Sequence, residues 1–233
     1  MKRAYVTKNL WNYETINPVP ENLPEGMDPY YITDTKENCD IAASLGWTPV
    51  LYDEYKDEKD RKRRRSVVIM INAYPERFIH GYMQIFVCDS NIIRLPSNYG
   101  TFVNSLKNHA MIMETGYYKG DDDNIYQEMR RSLGGRWDYD SKCIERSTKI
   151  YMSWLEADGI DYRTLSVGSM KYLGWNVEHE KKRDPAGFIF SQGNRHLQGN
   201  IIVSMLPVLY PNDVKVFRSL NNDVLFSPHL YSA

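Results

Sequence analysis

The sequence predicts an α/β fold, a mainly parallel sheet flanked by helices and contained in one domain. Three observations predict it. Short apolar runs stop at polar residues, as in Tyr30-Tyr31-Ile32-Thr33 before Asp34 and Pro49-Val50-Leu51-Tyr52 before Asp53. A stronger run, Ile85-Phe86-Val87-Cys88, halts abruptly at Asp89-Ser90-Asn91. Between and after these runs lie segments with helical periodicity. Buried strands that deliver polar side chains to their open ends are what α/β sheets use to build sites.

In chain order, Ala4-Tyr5-Val6-Thr7 reads as the first strand. The polar, Pro-rich stretch Asn17 to Gly26 cannot be helix or central strand and is expected as a surface loop. Strands follow at Tyr30 to Thr33 and Pro49 to Tyr52. From Glu54 to Arg65 the chain is almost wholly charged and then apolar from Ser66 to Ile71, which suits a helix that starts exposed and dives against the sheet. Asn72 and Pro75 mark its end. After the strand ending at Asp89, Pro96 to Gly100 is expected as loop and Met111 to Met113 as a short strand.

Asp121-Asp122-Asp123 precedes a helix over Ile125 to Leu133, where its dipole favours carboxylates, and Gly134-Gly135 ends it. Ile144, Thr148, Tyr151, Met152 and Leu155 recur at spacings of three and four, predicting a helix over Ser141 to Ala157 closed by Gly159. Strands are expected at Ser169 to Leu173 and Gly187 to Phe190. Ile201 to Leu206 reads as helix, and Asn212 to Leu220 as a last helix capped at Asn212. No internal repeat is visible.

Bulk properties narrow the function classes. The 233 residues are 42% hydrophobic and 25% charged, too apolar for disorder and long enough to bury a core. The formal net charge of −1 excludes a global field for nucleic acid or an acidic membrane. Three widely spaced cysteines, Cys39, Cys88 and Cys143, carry no metal-ligand pattern and predict reduced thiols. Neither a signal-peptide core nor a run of about eighteen apolar residues occurs, so a cytoplasmic protein with no membrane segment is the expectation. Eighteen tyrosines are the compositional outlier. They fit either strand packing or a site that stacks flat groups and bonds hydroxyls.

Asp89 and Asn91, two apart across Ser90, can turn both side-chain oxygens toward one hard cation as strand becomes turn. An Asp in such a place also caps turns through its own backbone. The dense basic run Arg61-Lys62-Arg63-Arg64-Arg65 has three readings. It is a solvated face balanced by Asp53, Glu54, Asp57, Glu58 and Asp60, a nucleic-acid patch, or the cationic side of a diphosphate site. Missing interleaved aromatics and near-neutral total charge weigh against nucleic acid. With a cation at Asp89, Arg forks fit a nucleoside diphosphate and stabilise the charge that grows when its bond to a sugar breaks.

Taken together, a first strand Tyr5-Val6-Thr7, a second ending Ile32-Thr33-Asp34, an Arg-rich helix and an apolar strand ending Asp89-Ser90-Asn91 resemble the GT-A class of nucleotide-sugar-dependent glycosyltransferases. More narrowly, the order is similar to the small capsid-glycosylating enzymes of large algal DNA viruses, which for a viral enzyme implies the host-cell cytoplasm. The resemblance implies a Rossmann-like GT-A domain over 1–233, with a nucleotide-binding half (1–100) and an acceptor and sugar half (101–233). It implies transfer from a nucleoside-diphosphate sugar, a UDP donor above all, to a glycan or glycoprotein hydroxyl, with Mn²⁺ or Mg²⁺ as cofactor.

By the same resemblance Thr7 and Asp34 edge the nucleoside pocket, Arg61 and Arg65 face the diphosphate, and Asp89 with Asn91 holds the metal. Ser90 lies in the same donor-binding turn, and His229 is a candidate third metal ligand. Arg195-His196-Leu197-Gln198-Gly199-Asn200 looks like the late sugar-contacting turn, placing His196 and Gln198 at the donor, with Gln198 where an Asp often stands. Asp123, Glu145 and Asp158 are then the candidates for the base that deprotonates an acceptor. His109 has the same standing as His229, and Trp175 is either an acceptor platform or core. Two other function classes fit the residues: a non-catalytic glycan- or nucleotide-binding module, and a metal-dependent phosphohydrolase built on Asp121 to Asp123.

Overall fold

Seven strands drawn from both halves of the chain hydrogen-bond into one twisted sheet. The computed structural model describes residues 1–115, 168–179, 210–217 and 223–227, with positions 149, 153, 156–157, 159, 206 and 220. The strands are β1 (Arg3–Asn9), β2 (Met27–Thr33), β3 (Thr48–Leu51), β4 (Gln84–Cys88), β5 (Ile92–Arg94), β6 (Met111–Thr115), β7 (Gly168–Asn176), β8 (Val214–Phe217) and β9 (Leu225–Phe226). The helices whose bounds fall among the described residues are α1 (Lys36–Ser44), α2 (Arg61–Ala73) and α3 (Tyr99–Asn104).

The main sheet runs β3-β2-β1-β4-β7-β6-β8, and β5 pairs with β9 in a separate ribbon. β1 is parallel to both β2 and β4, and β2 to β3. β7 runs antiparallel between β4 and β6, and β8 is parallel to β6. Because β2 and β3 lie on one side of β1 and β4 on the other, the strand order reverses beside β1. Such a reversal leaves a crevice at the carboxyl ends of β1 and β4.

Alternation along the strands sorts the core into two layers. One face carries Ala4, Val6, Ile32, Ile85, Val87, Met111, Met113, Leu173 and Trp175 against Val67, Ile69 and Ile71 of α2. The opposite face is aromatic, with Tyr5, Tyr31, Phe86 and Tyr172 against Tyr99, Phe102 and Val103 of α3 and Trp47 beside α1. Tyr5 stacks on Trp47 at 5.8 Å between centroids and Tyr99 on Phe102 at 5.5 Å. Four of the surplus tyrosines are thus strand and helix packing. Trp175 is core as well, its indole Nε1 donating to the Asn72 carbonyl at 2.7 Å and tying β7 to the end of α2.

Several elements differ from the sequence reading. α2 begins at Arg61 rather than Glu54, because two turns occupy 53–58 and the Asp60 carbonyl accepts the first helical bond, from Arg64 N at 3.0 Å. α1 carries almost no apolar stripe, burying only Asn38 and Ala42; its start is fixed by Thr35, whose side chain accepts from Asn38 N. Residues 96–100 are not all loop, since α3 starts at Tyr99. The helix expected over Asn212 to Leu220 is instead a turn followed by β8. There Val214 and Val216 alternate with Lys215 and Phe217, and pairing with β6 outweighs the Asn212 cap signal. The four described positions within the expected helix over Ser141 to Ala157 are helical, and Gly159 follows at φ +71° with its N–H on the Glu156 carbonyl. The helix expected over 125–133 and the strand over 187–190 lie outside the described residues, as does the helix expected over 201–206 except for Leu206, which is helical.

Gly174 is where the sheet is tightest. It faces Phe86 on β4 and Ile112 on β6, and a Cβ there would sit 2.7 Å from Ile112 Cγ1 and 2.9 Å from Phe86 Cε1. Gly174→Ala is expected to lower stability by about 1–3 kcal/mol through overpacking. An unchanged urea midpoint would refute that.

Cys88 is fully buried in the aromatic layer, with Sγ 3.3 Å from the Tyr99 hydroxyl, and burial pushes its thiol up to about 12. Since the thiolate is the reactive form, Cys88 is expected to resist iodoacetamide at neutral and mildly alkaline pH until the protein unfolds. Peptide mapping of native and urea-treated protein checks this; labelling of native Cys88 at the rate of an exposed thiol would contradict it.

Candidate functional site

The crevice beside β1 is lined by residues that the strands deliver in register. Val6 pairs with Val87, the last β1–β4 partners, while Lys8 and Asn9 pair with Ile32 and Thr33 of β2. Thr7, Lys8 and Asn9 therefore overhang the end of β4, and Asp34 lies one residue past the end of β2. All four are buried, at or below 7% exposure.

Lys8 is the central charge. Its side chain is 5% exposed, with Nζ 4.0 Å from Asp89 Oδ1 and 3.5 Å from the Cys88 carbonyl. Burial holds its pKa below the ordinary lysine value, opposed by the negative charge of Asp89 and, beyond it, by Cys88 and Glu14. Thr7 Oγ1 donates to the same Cys88 carbonyl at 3.1 Å. Asp89 is the outward member, its side chain 42% exposed and its N–H on the Lys171 carbonyl at 3.3 Å. Lys171 is likewise held below its usual value by burial, against the pull of Asp89 and Glu114. Its ammonium rests 4.0 Å over the Phe226 ring.

Ser90 and Asn91 tie the turn after β4 to other parts of the chain. The Ser90 hydroxyl donates to the Glu14 carboxylate, and its carbonyl accepts from Asn17 Nδ2 at 3.1 Å. Asn91 Nδ2 donates to the Ser227 carbonyl at 3.4 Å, and Ser227 N–H returns to the Asn91 carbonyl at 2.7 Å. Asn17 Nδ2 also reaches Ser227 Oγ at 2.8 Å, so this one amide clamps the turn after β4 to the end of β9.

On the β2 side, Asp34 Oδ2 accepts from Trp11 N–H at 2.8 Å, while Oδ1 is buried with no hydrogen-bond partner among the described residues. The Thr33 hydroxyl beside it is in the same state. Trp11 and Asn12 adopt φ +59° and +53°, a left-handed bend that non-glycine residues rarely hold. The bend is kept by Asn12 Oδ1, which accepts from Asn38 Nδ2 at 2.7 Å, and by Trp11 Nε1, which donates to the Tyr55 carbonyl at 2.9 Å.

Of the basic run, Arg64 lies 5.2 Å over the Trp11 ring and donates to the Glu58 carbonyl. Arg63 pairs with Glu58 at 3.5 Å on the exposed face. The side chains of Arg61 and Arg65 are outside the described set. So are Asp121, Asp123, Glu145, Asp158, His196, Gln198 and His229. His109 bonds the Ser105 carbonyl through Nδ1 at 3.2 Å, at the start of β6.

Sequence reading missed Lys8, Glu14, Asn17 and Lys171. A signal existed for Lys8, a lone cation between Val6-Thr7 and Leu10 in a strand flanked on both sides.

Hard divalent cations want several oxygen donors, with one or two carboxylates free to bind. Here Asp89 already has an ammonium at 4.0 Å, Asn91 is tied through its Nδ2 to the Ser227 carbonyl with its Oδ1 buried and without a hydrogen-bond partner among the described residues, and no group of three or more His, Cys, Asp or Glu converges among the described residues. With one carboxylate, and that one already facing an ammonium, the described residues fit an anion approaching a buried cation better than a divalent ion.

No family model matches this sequence, and no curated protein matches it. Solved structures do. Mouse xyloside xylosyltransferase 1 in its apo form is similar with a TM-score of 0.51 at 6% identity, over 93% of this chain and 85% of that one. The galactosyltransferase LgtC, in complex with donor and acceptor sugar analogs, gives 0.49 at 9% identity over 91% and 72%. Glucosyl-3-phosphoglycerate synthase from Mycobacterium tuberculosis, in complex with Mn²⁺, UDP and phosphoglyceric acid, gives 0.46 at 13% identity over 95% and 71%. At such identities likeness speaks to fold. With the sheet order above and the mouse xylosyltransferase as its match, this chain has the GT-A, Rossmann-like fold.

Proposed function

We propose that this protein is a glycosyltransferase that moves a sugar from a nucleoside-diphosphate donor, UDP-linked in the first instance, to a glycan or glycoprotein hydroxyl. The observation that carries the reading is the crevice at the carboxyl ends of β1, β2 and β4, where the strand ends of a GT-A fold deliver a buried ammonium, Lys8, and a buried carboxylate with one oxygen lacking a partner among the described residues, Asp34. Asp34 Oδ1 and the Thr33 hydroxyl suit the hydroxyl and amide hydrogens of a nucleoside, because a buried acceptor without a partner costs energy that a ligand donor removes. Lys8 suits the diphosphate. The resemblance to algal-virus enzymes supports a glycoprotein acceptor.

In the reaction, the bond between the sugar anomeric carbon and the diphosphate oxygen breaks and a new bond to the acceptor oxygen forms. The acceptor proton passes to a base, for which Asp123, Glu145 and Asp158 remain the candidates, with Gln198 and His196 placed at the sugar by the sequence resemblance. Negative charge grows on the departing phosphate oxygen. A cation fixed in the fold before the reaction stabilises that charge without reorganising.

Incubation with a panel of nucleotide sugars and glycan acceptors should release nucleoside diphosphate together with a glycosylated product. Release of inorganic phosphate instead would favour a phosphohydrolase, and binding without turnover a non-catalytic module. Asp34→Asn keeps an acceptor for Trp11 N–H but removes the charge, so it should weaken binding of the free nucleoside and of its diphosphate alike. The expected loss is about tenfold, or ~1.4 kcal/mol. Unchanged affinity for both ligands, with a native thermal melt, would remove Asp34 from the site.

A further inference from the structure

We infer that Lys8 is the resident cation of the diphosphate site, so that this chain binds a nucleoside diphosphate without a divalent ion. The inference rests on the nucleotide reading above and adds what meets the phosphates. Lys8 comes from the end of β1, where its backbone is paired with Ile32 of β2 two residues past the last β1–β4 partners, and its side chain is buried. An ammonium has three donors. The Cys88 carbonyl at 3.5 Å and Asp89 at 4.0 Å are both long against the roughly 2.7–2.9 Å of a charge-assisted hydrogen bond. Donor capacity is left over at a position nine-tenths buried.

Asp89 explains how the charge is tolerated when no ligand is bound. It is the counter-ion, and it is also the most exposed member of the cluster. A phosphate oxygen arriving at the strand ends can take over the ammonium while the carboxylate swings into water. Glu14, the other carboxylate near Lys8, accepts the Ser90 hydroxyl and sits buried behind the turn. Lys171, whose backbone carbonyl accepts from Asp89 N–H and whose ammonium lies over the Phe226 ring, adds a second positive charge that feels Asp89, which favours an anion there and disfavours a doubly charged metal. On this account Asp89 positions Lys8 rather than ligating a metal.

Calorimetric titration of the wild-type protein with UDP and with GDP, in excess EDTA and in saturating Mn²⁺, tests this directly. The expected result is that the tighter of the two nucleotides binds in EDTA with a Kd within about threefold of its value in Mn²⁺. Lys8→Met should weaken that nucleotide by roughly tenfold to a hundredfold, the worth of a charged hydrogen bond, while leaving the affinity for the phosphate-free nucleoside unchanged. If Mn²⁺ tightens wild-type binding by more than about tenfold, the lysine assignment is overturned and the nucleotide reading stands. If neither nucleotide binds under either condition, both fall. Should Lys8→Met fail to fold, judged by its thermal melt, the two wild-type titrations decide the question alone.

Discussion

A lysine ammonium buried at the carboxyl end of β1 is the constraint around which the rest of this site is arranged. Removing such a charge from water is costly unless it finds a counter-ion and hydrogen-bond acceptors. The structure supplies both loosely: a carboxylate at 4.0 Å and a carbonyl at 3.5 Å. Loose partnering is a poor way to stabilise a fold and a good way to receive an anion. Two other features follow from it. Asp89 must stand at the mouth of the crevice, and the turn after β4 must be held firmly enough to keep it there, which the clamp of Asn17 on Ser90 and Ser227 does.

The sheet provides the rigidity. Its two faces are packed differently, aliphatic under α2 and aromatic under α1 and α3, and the strand that carries Lys8 is bonded between β2 and β4. β7 closes on β4 so tightly that only glycine fits at 174, between Phe86 and Ile112. The strained bend at Trp11 and Asn12 is held by bonds to Asp34, Asn38 and Tyr55, joining the loop after β1 to the start of α1 and to the approach to α2. Local strain of this kind concentrates where a site needs a fixed shape.

How far the sequence disclosed this depends on the kind of signal. Strand ends were legible because an apolar run stopping at an acid is a local pattern, which is why the ends of β2 before Asp34 and of β4 before Asp89 were read correctly. The pairing of Asp89 with Asn91 toward one cation was an inference from spacing alone; spacing could not disclose that Asp89 faces the Lys8 ammonium, or that Asn91 Nδ2 is tied to Ser227, 136 residues later in the chain. Lys8 was hidden because a lysine is ordinarily a surface residue, and its burial exists only once β2 and β4 enclose β1. β8 was misread because Asn212 resembles a helix cap, whereas the strand is selected by a partner about a hundred residues earlier. The Arg-rich helix was recognised, but its described arginines serve Trp11 and Glu58 rather than an open groove.

The most direct test is a crystal structure of the full chain grown in EDTA and soaked with UDP. The account predicts the diphosphate over the ends of β1 and β4, with a phosphate oxygen within hydrogen-bonding distance of Lys8 Nζ and Asp89 rotated outward. A nucleotide seated elsewhere, or one whose phosphates stay clear of Lys8 while that ammonium keeps its present contacts, would contradict it.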